Sequence, residues 1–321
     1  MAPVASQFKL NTGATIPTVG LGGFIPRNEE RTQKEWLIVY AKVPGGRSPA
    51  KIYGNENEVG QGIKDSGVPR EEIFLTSKLW NTHQPNVKEG LQKSLDALGT
   101  DYLDLYVPHP LAGAPSPSNS ETLAQNESSE LLPVNPDGTR SVDRDWDQSE
   151  TWRQMEEVYK SGKVKAIGVA NWSIPYLEKL SKTWKVVPAV NQVELHPFLP
   201  QHKLREYCAK HDILLEAYSP LGSAGAPIMS DDSIQAVAKK YDVSPATILI
   251  SYHVNKGVVV LPKSVHEKRI ISNKTVTELS DEDIALLDDL AAKGKAKRIN
   301  TPLWGWDLGF DDWYDPSASS H

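Results

Sequence analysis

From Ile73 onward, short β-rich runs alternate with helical stretches, and that rhythm restricts the chain to parallel βα units. The strand runs are Ile73 to Lys78, Tyr102 to Val107, Val164 to Ala170, Ala189 to Leu195, Ile213 to Tyr218 and Val258 to Lys263. Between them lie the helical stretches Val87 to Leu98, Thr151 to Ser161, Lys203 to Lys210 and Ser233 to Tyr241. Ser280 reads as an N-cap, with Asp283 three residues on and Ile284, Leu286, Leu287 and Leu290 behind it. Pro245 after Ser244 fits the first turn of another helix. Ahead of the alternation, Asn11-Thr12-Gly13 between Phe8-Lys9-Leu10 and Ile16 predicts a β-hairpin. A chain of 321 residues accommodates one (β/α)8 barrel as a single domain, 1–321, entered through that hairpin.

Several of these strands finish in a chemically capable side chain. Lys78 closes one and His109 follows another; Asn171, Gln192, Tyr218 and Lys263 come at or near the ends of four more. The C-terminal strand ends of a (β/α)8 barrel form a single face, so all six would meet there. Taken singly, a strand-terminal Lys or Asn is more often a solvated end or a turn former. Recurrence on six strands points to a site instead.

The formal net charge of −6 offers no basic face for nucleic acid. One cysteine, Cys208, excludes an internal disulfide framework and fits a reducing compartment. Met1 to Leu10 has no basic segment followed by an apolar run, and nothing approaches the roughly 20 apolar residues that would span a bilayer. The reading is a cytoplasmic protein that acts on small molecules, not on nucleic acid or membrane. Pro115 to Ser129, rich in Pro, Ser, Asn and Glu, reads as a surface loop.

The runs Phe8-Lys9-Leu10-Asn11-Thr12-Gly13, Val19-Gly20-Leu21-Gly22, Tyr53-Gly54-Asn55-Glu56, Thr76-Ser77-Lys78-Leu79-Trp80-Asn81, Asn191-Gln192-Val193-Glu194-Leu195-His196-Pro197 and Leu261-Pro262-Lys263-Ser264-Val265 resemble the aldo-keto reductase family. Within it, the resemblance is to the fungal NADP-dependent glycerol dehydrogenase and glyceraldehyde reductase branch. The resemblance implies a carbonyl reductase, reversible toward alcohol oxidation, with no metal in its site. It makes Tyr53 the proton donor, Lys78 its partner and His109 the group that orients the substrate carbonyl. A free phenol titrates near 10, so an adjacent ammonium is needed to make it a useful acid near neutral pH.

Cofactor contacts follow from the same resemblance. Asn171 and Gln192 match positions that bind the carboxamide, and Tyr218 matches the residue that stacks on the nicotinamide. Ser219, Leu221 and Ser223 match the loop beside the pyrophosphate. Lys263, Ser264, Val265 and Arg269 match the surroundings of the adenosine 2′-phosphate, and Asn273 matches an adenine contact. Two cations with a hydroxyl suit a dianionic phosphate, which favours NADP(H) over NAD(H). Trp80 resembles a substrate-pocket aromatic.

One stretch departs from the pattern. The family's carboxylate belongs five residues before Tyr53, where this chain has Ser48 inside Pro44-Gly45-Gly46-Arg47-Ser48-Pro49. Pro cannot donate to a ladder and Gly weakens one, so the second barrel strand, about 44–52, is compromised on this reading. Upstream, Trp36 to Tyr40 runs apolar without helical spacing. Smaller departures are Ala170 for the usual Ser, no Trp between His109 and Pro110, and Ser272 where Glu is common. Without the carboxylate, a buried Lys78 faces desolvation alone and helps Tyr53 less. Weak turnover with NADPH binding retained is the expectation; a silent nucleotide-binding barrel, acting as sensor or partner subunit, is the alternative. Replacing Ser48 with Asp should therefore raise turnover, and equal turnover in a folded S48D variant would refute the reading.

Overall fold

The computed structural model describes residues 4–23, 54–108, 143, 145–223, 225–301 and 307–313, together with the backbone of 46–48. Two four-stranded arcs make up the sheet. One runs β3 (Gly20–Gly22), β4 (Gly46–Ser48), β5 (Phe74–Leu79) and β6 (Leu105–Pro108). The other runs β7 (Val169–Ala170), β8 (Val190–Glu194), β9 (Leu214–Tyr218) and β10 (Val259–Leu261). Every pairing within the arcs is parallel.

Backbone hydrogen bonds join the arcs at both seams. Tyr106 N donates to Ala166 O at 3.0 Å and Gly168 N to Tyr106 O at 3.1 Å; on the other side Val260 N donates to Thr18 O at 2.9 Å and Gly22 N to Pro262 O at 3.2 Å. The result is the closed parallel barrel that the alternation predicts. The hairpin forms too, with β1 (Gln7–Lys9) antiparallel to β2 (Thr15–Pro17) and Gly13 at φ 87° in its turn.

Side chains alternate across the barrel wall as strand geometry requires. Leu105, Val107, Ala170, Val190, Val259 and Leu261 fill the interior, and Leu10 and Ile16 of the hairpin join them. Leu75, Leu79, Tyr106, Val193, Leu215 and Val260 point the other way, into the layer beneath the helices. That outer layer is covered by helices that include α1 (Glu56–Ser66), α2 (Val87–Leu98) and α3 (Gln148–Lys160). Two helix starts read from sequence are capped as expected: Ser244 Oγ accepts from Thr247 N at 3.1 Å and Ser280 Oγ from Asp283 N at 3.3 Å.

The strand that the sequence leaves in doubt does form. Gly46–Ser48 pairs with β3 through Gly20↔Gly46 and Gly22↔Ser48, and with β5 through Gly46↔Phe74 and Arg47↔Leu75. Its flanking prolines, Pro44 and Pro49, fall outside those three residues, so the missing N–H groups do not interrupt the ladder. The stretches Glu29 to Val43 and Pro115 to Ser129 lie outside the described residues.

A buried carboxylate locks the seam between β5 and β6. Asp104 accepts from Leu75 N at 2.9 Å, Arg70 Nη1 at 2.9 Å and Lys165 Nζ at 3.0 Å. The Arg70 guanidinium and the Lys165 ammonium each lie 4.0 Å from the centroid of the Tyr102 ring. Removing one partner of so enclosed a group leaves cations and an amide unmatched. Asp104→Asn should lower unfolding stability by about 2–3 kcal/mol, seen as a lower urea midpoint at unchanged slope; an unmoved midpoint would show the cluster to be dispensable.

Candidate active site

Lys78 enters the barrel from β5. Its neighbours Ser77 and Leu79 face the helices, where Ser77 Oγ donates to Glu56 Oε1 at 2.5 Å and Leu79 packs in the outer layer. Alternation therefore sends Lys78 inward, and it is almost wholly buried. Burial pulls its ammonium down to about 8, against the opposing pull of the Glu216 charge. Trp80, two residues on, is also buried.

Glu216 comes from β9, flanked by Leu215 and Ala217 in the outer layer, and is buried in turn. Burial raises its carboxyl; a hydrogen bond from Gln192 and the charge of Lys78 work the other way. Gln192 Nε2 donates to Glu216 Oε2 at 3.0 Å across the β8–β9 register. Lys78 therefore does have an acidic group within electrostatic reach. The expected lowering of Lys78 by burial is found, and the expectation that nothing offsets it is corrected.

Asn171 follows β7 at φ 53°, with its backbone N–H donated to Gln192 O at 2.9 Å. Among the described residues its buried Oδ1 has no hydrogen-bond partner. A buried acceptor left open beside Gln192 suits a ligand amide. Tyr218, half-buried, closes β9, and the chain then turns through Ser219 at φ 51°, Gly222 at φ 89° and Ser223 at φ 62°. Three left-handed residues in five compress this turn against the rim; a Cβ on Gly222 would meet Ile228 at 3.1 Å. Leu221 is half-buried within it and Ser223 is exposed.

Past β10, Lys263 is exposed, Ser264 buried and Val265 half-buried. Ser264 Oγ accepts from His266 N at 3.1 Å, just ahead of the helix Glu267–Ser272. Arg269 extends into solvent from that helix, and Asn273 at its end is buried. Lys263 and Arg269 are exposed cations near Ser264 in sequence, residue types that could hold a phosphate. Tyr53 and His109 lie outside the described residues, as do Trp304 and Trp306. Of the proposed contacts, Lys78 and Tyr218 lie at or next to strand ends, Asn171 just past β7 and Gln192 in the middle of β8, all on one ring.

Beside this rim the chain after Lys297 is tied down twice. Glu194, fully buried at the end of β8, accepts from Ile299 N at 2.7 Å, Asn300 N at 2.9 Å and His196 Nε2 at 3.0 Å. Burial would raise its carboxyl, but these bonds outweigh burial and hold it below the usual range. Arg298 forms a two-pronged bond to Asp312, both prongs 2.8 Å, and lies over the rings of Phe310 and Trp313 at 4.7 and 5.6 Å. Trp313 thus packs against the barrel. Sequence reasoning assigned no role to Glu216 or Glu194. Each is a carboxylate within an otherwise buried parallel strand, a pattern that marks an unusual interior group.

Residues 49–292 match the Aldo/keto reductase family. The match begins inside the doubtful stretch, about 44–52, one residue after Ser48. The D-galacturonate reductase of Hypocrea jecorina is 44% identical over 319 residues, covering 96% of this chain and 99% of that one. The glycerol 2-dehydrogenase (NADP(+)) of Saccharomyces cerevisiae is 44% identical over 303 residues, covering 92% and 94%. An aldose reductase structure from Schistosoma japonicum superposes with a TM-score of 0.83 at 27% identity, covering 98% of this chain and 100% of that one. A closed parallel barrel with a buried lysine at its rim, matched over three quarters of its length, places this chain in the aldo/keto reductase family of oxidoreductases.

Proposed function

We propose that this protein reduces small aldehydes or ketones to alcohols with NADPH, and runs the reverse oxidation, as a cytoplasmic single-domain enzyme spanning 1–321. The observation that carries the reading is that buried Lys78, Asn171 and Gln192 stand on three strands of one closed parallel ring. The names of the relatives, a sugar-acid reductase and an NADP(+)-linked glycerol dehydrogenase, favour polar, polyol-like substrates. No helix among the described residues is long and apolar enough to cross a membrane.

Asn171 and Gln192 would hold a carboxamide, Tyr218 a flat ring, and Ser219, Leu221 and Ser223 a pyrophosphate. Lys263, Ser264, Val265 and Arg269 would surround a 2′-phosphate, with Asn273 at the adenine. When bound, NADPH supplies the hydride. The chain's own task is the proton and the orientation. Tyr53 donates from its hydroxyl to the carbonyl oxygen as charge builds there. Lys78, as an ammonium, stabilises the tyrosinate left behind and so makes the phenol a stronger acid. His109 hydrogen-bonds the carbonyl and sets its angle. Ser48 brings no charge to this group, so turnover is expected to be lower than with an aspartate.

NADPH absorbance should fall in the presence of glyceraldehyde, xylose or an aromatic aldehyde. Binding seen by fluorescence with no consumption for any of them would favour the silent barrel. Because Lys78 is an ammonium below about 8 and an amine above it, reduction should slow as pH rises through that value. Lys263→Met should weaken NADPH binding about tenfold or more, the scale of one charge-assisted contact, with NADH little affected. Equal loss for both nucleotides would remove Lys263 from the phosphate site.

A further inference from the structure

We infer that Glu216 is a positioning carboxylate for the reaction, supplying from the opposite wall of the barrel the negative charge that Ser48 does not bring to Lys78. The inference rests on the reductase reading above, in which Lys78 acts on Tyr53. In the ring order β5-β6-β7-β8-β9, Lys78 and Glu216 stand four strands apart out of eight, which sets them across the interior from one another. Both are long side chains directed inward, and both are buried.

Among the described residues, few other charges stand beside them on the neighbouring strands. Lys78 pairs in register with Val107, and Glu216 with Gln192 and Val259. Val107, Val259 and the inward Ala170 carry no charge. Glu194 is also buried near the rim, but His196, Ile299 and Asn300 occupy its oxygens. Tyr218 closes the same strand as Glu216, while Lys263 is exposed beyond β10. Burial dominates both groups, lowering the ammonium and raising the carboxyl, and the charge of each offsets part of that cost for the other. An ammonium alone in so dry an interior would shed its proton, and one carboxylate offsets that penalty. The bond from Gln192 Nε2, at 3.0 Å, ties Glu216 Oε2 to β8, in the half of the barrel opposite β5.

The test reads Lys78 directly. Protein labelled with 13C at lysine Cε is titrated by NMR, with the Lys78 signal assigned by its loss in Lys78→Met. Glu216→Gln keeps the shape and removes the charge, and should lower the Lys78 midpoint by about one pH unit, a tenfold change in proton affinity. Glu216→Asp retains a charge one methylene further back and should shift it less, in the same direction. Turnover should fall about tenfold in Glu216→Gln, recover partly in Glu216→Asp, and lose less in a Ser48→Asp background, since the two carboxylates serve one ammonium. An unmoved or raised Lys78 midpoint in either folded Glu216 variant overturns the proposal, whatever turnover does. If wild-type protein consumes no NADPH while the midpoint shifts as stated, the pairing stands and the reductase reading fails.

Discussion

Ring closure is the constraint from which everything else follows. A parallel sheet this narrow, with strands as short as the two residues of Val169–Ala170, would leave open edges if it stayed flat. The seam bonds at Tyr106–Ala166 and Val260–Thr18 abolish both edges. Once closed, all eight strands point the same way, so their ends share a rim and their inward residues share one small interior. The chemistry is concentrated by geometry before any particular side chain is considered.

Such concentration has an energetic side. An interior packed with Val, Leu and Ala tolerates an ion only if something answers its charge. Lys78 and Glu216 on opposite walls, Glu194 under four donors and Asp104 under three show the same rule at three places in the molecule. The two structural carboxylates are saturated with hydrogen bonds. Glu216 accepts a hydrogen bond from Gln192, which leaves its charge part of the interior that Lys78 enters.

Much of this was legible in the sequence. Strand runs and helix caps such as Ser244 and Ser280 are written locally, in residue type and spacing, and the strand-end residues follow from them. Less legible were features set by neighbours. The segment Gly46-Arg47-Ser48 carries no strand propensity and extends because β3 and β5 offer ladders on both sides. The helix Glu56–Ser66 hides behind its glycines; Gly60 is there because a Cβ would come within 2.4 Å of Leu98 O. Glu216 escaped notice because a partner four strands away leaves no trace in local spacing.

The hairpin that precedes the barrel has a further effect. By burying Leu10 and Ile16 against Leu105, Val107 and Val259, it stoppers one end of the cylinder. A vessel with a single mouth imposes order on its contents: whatever must lie deepest has to arrive first, and whatever lies above it has to depart before it can leave.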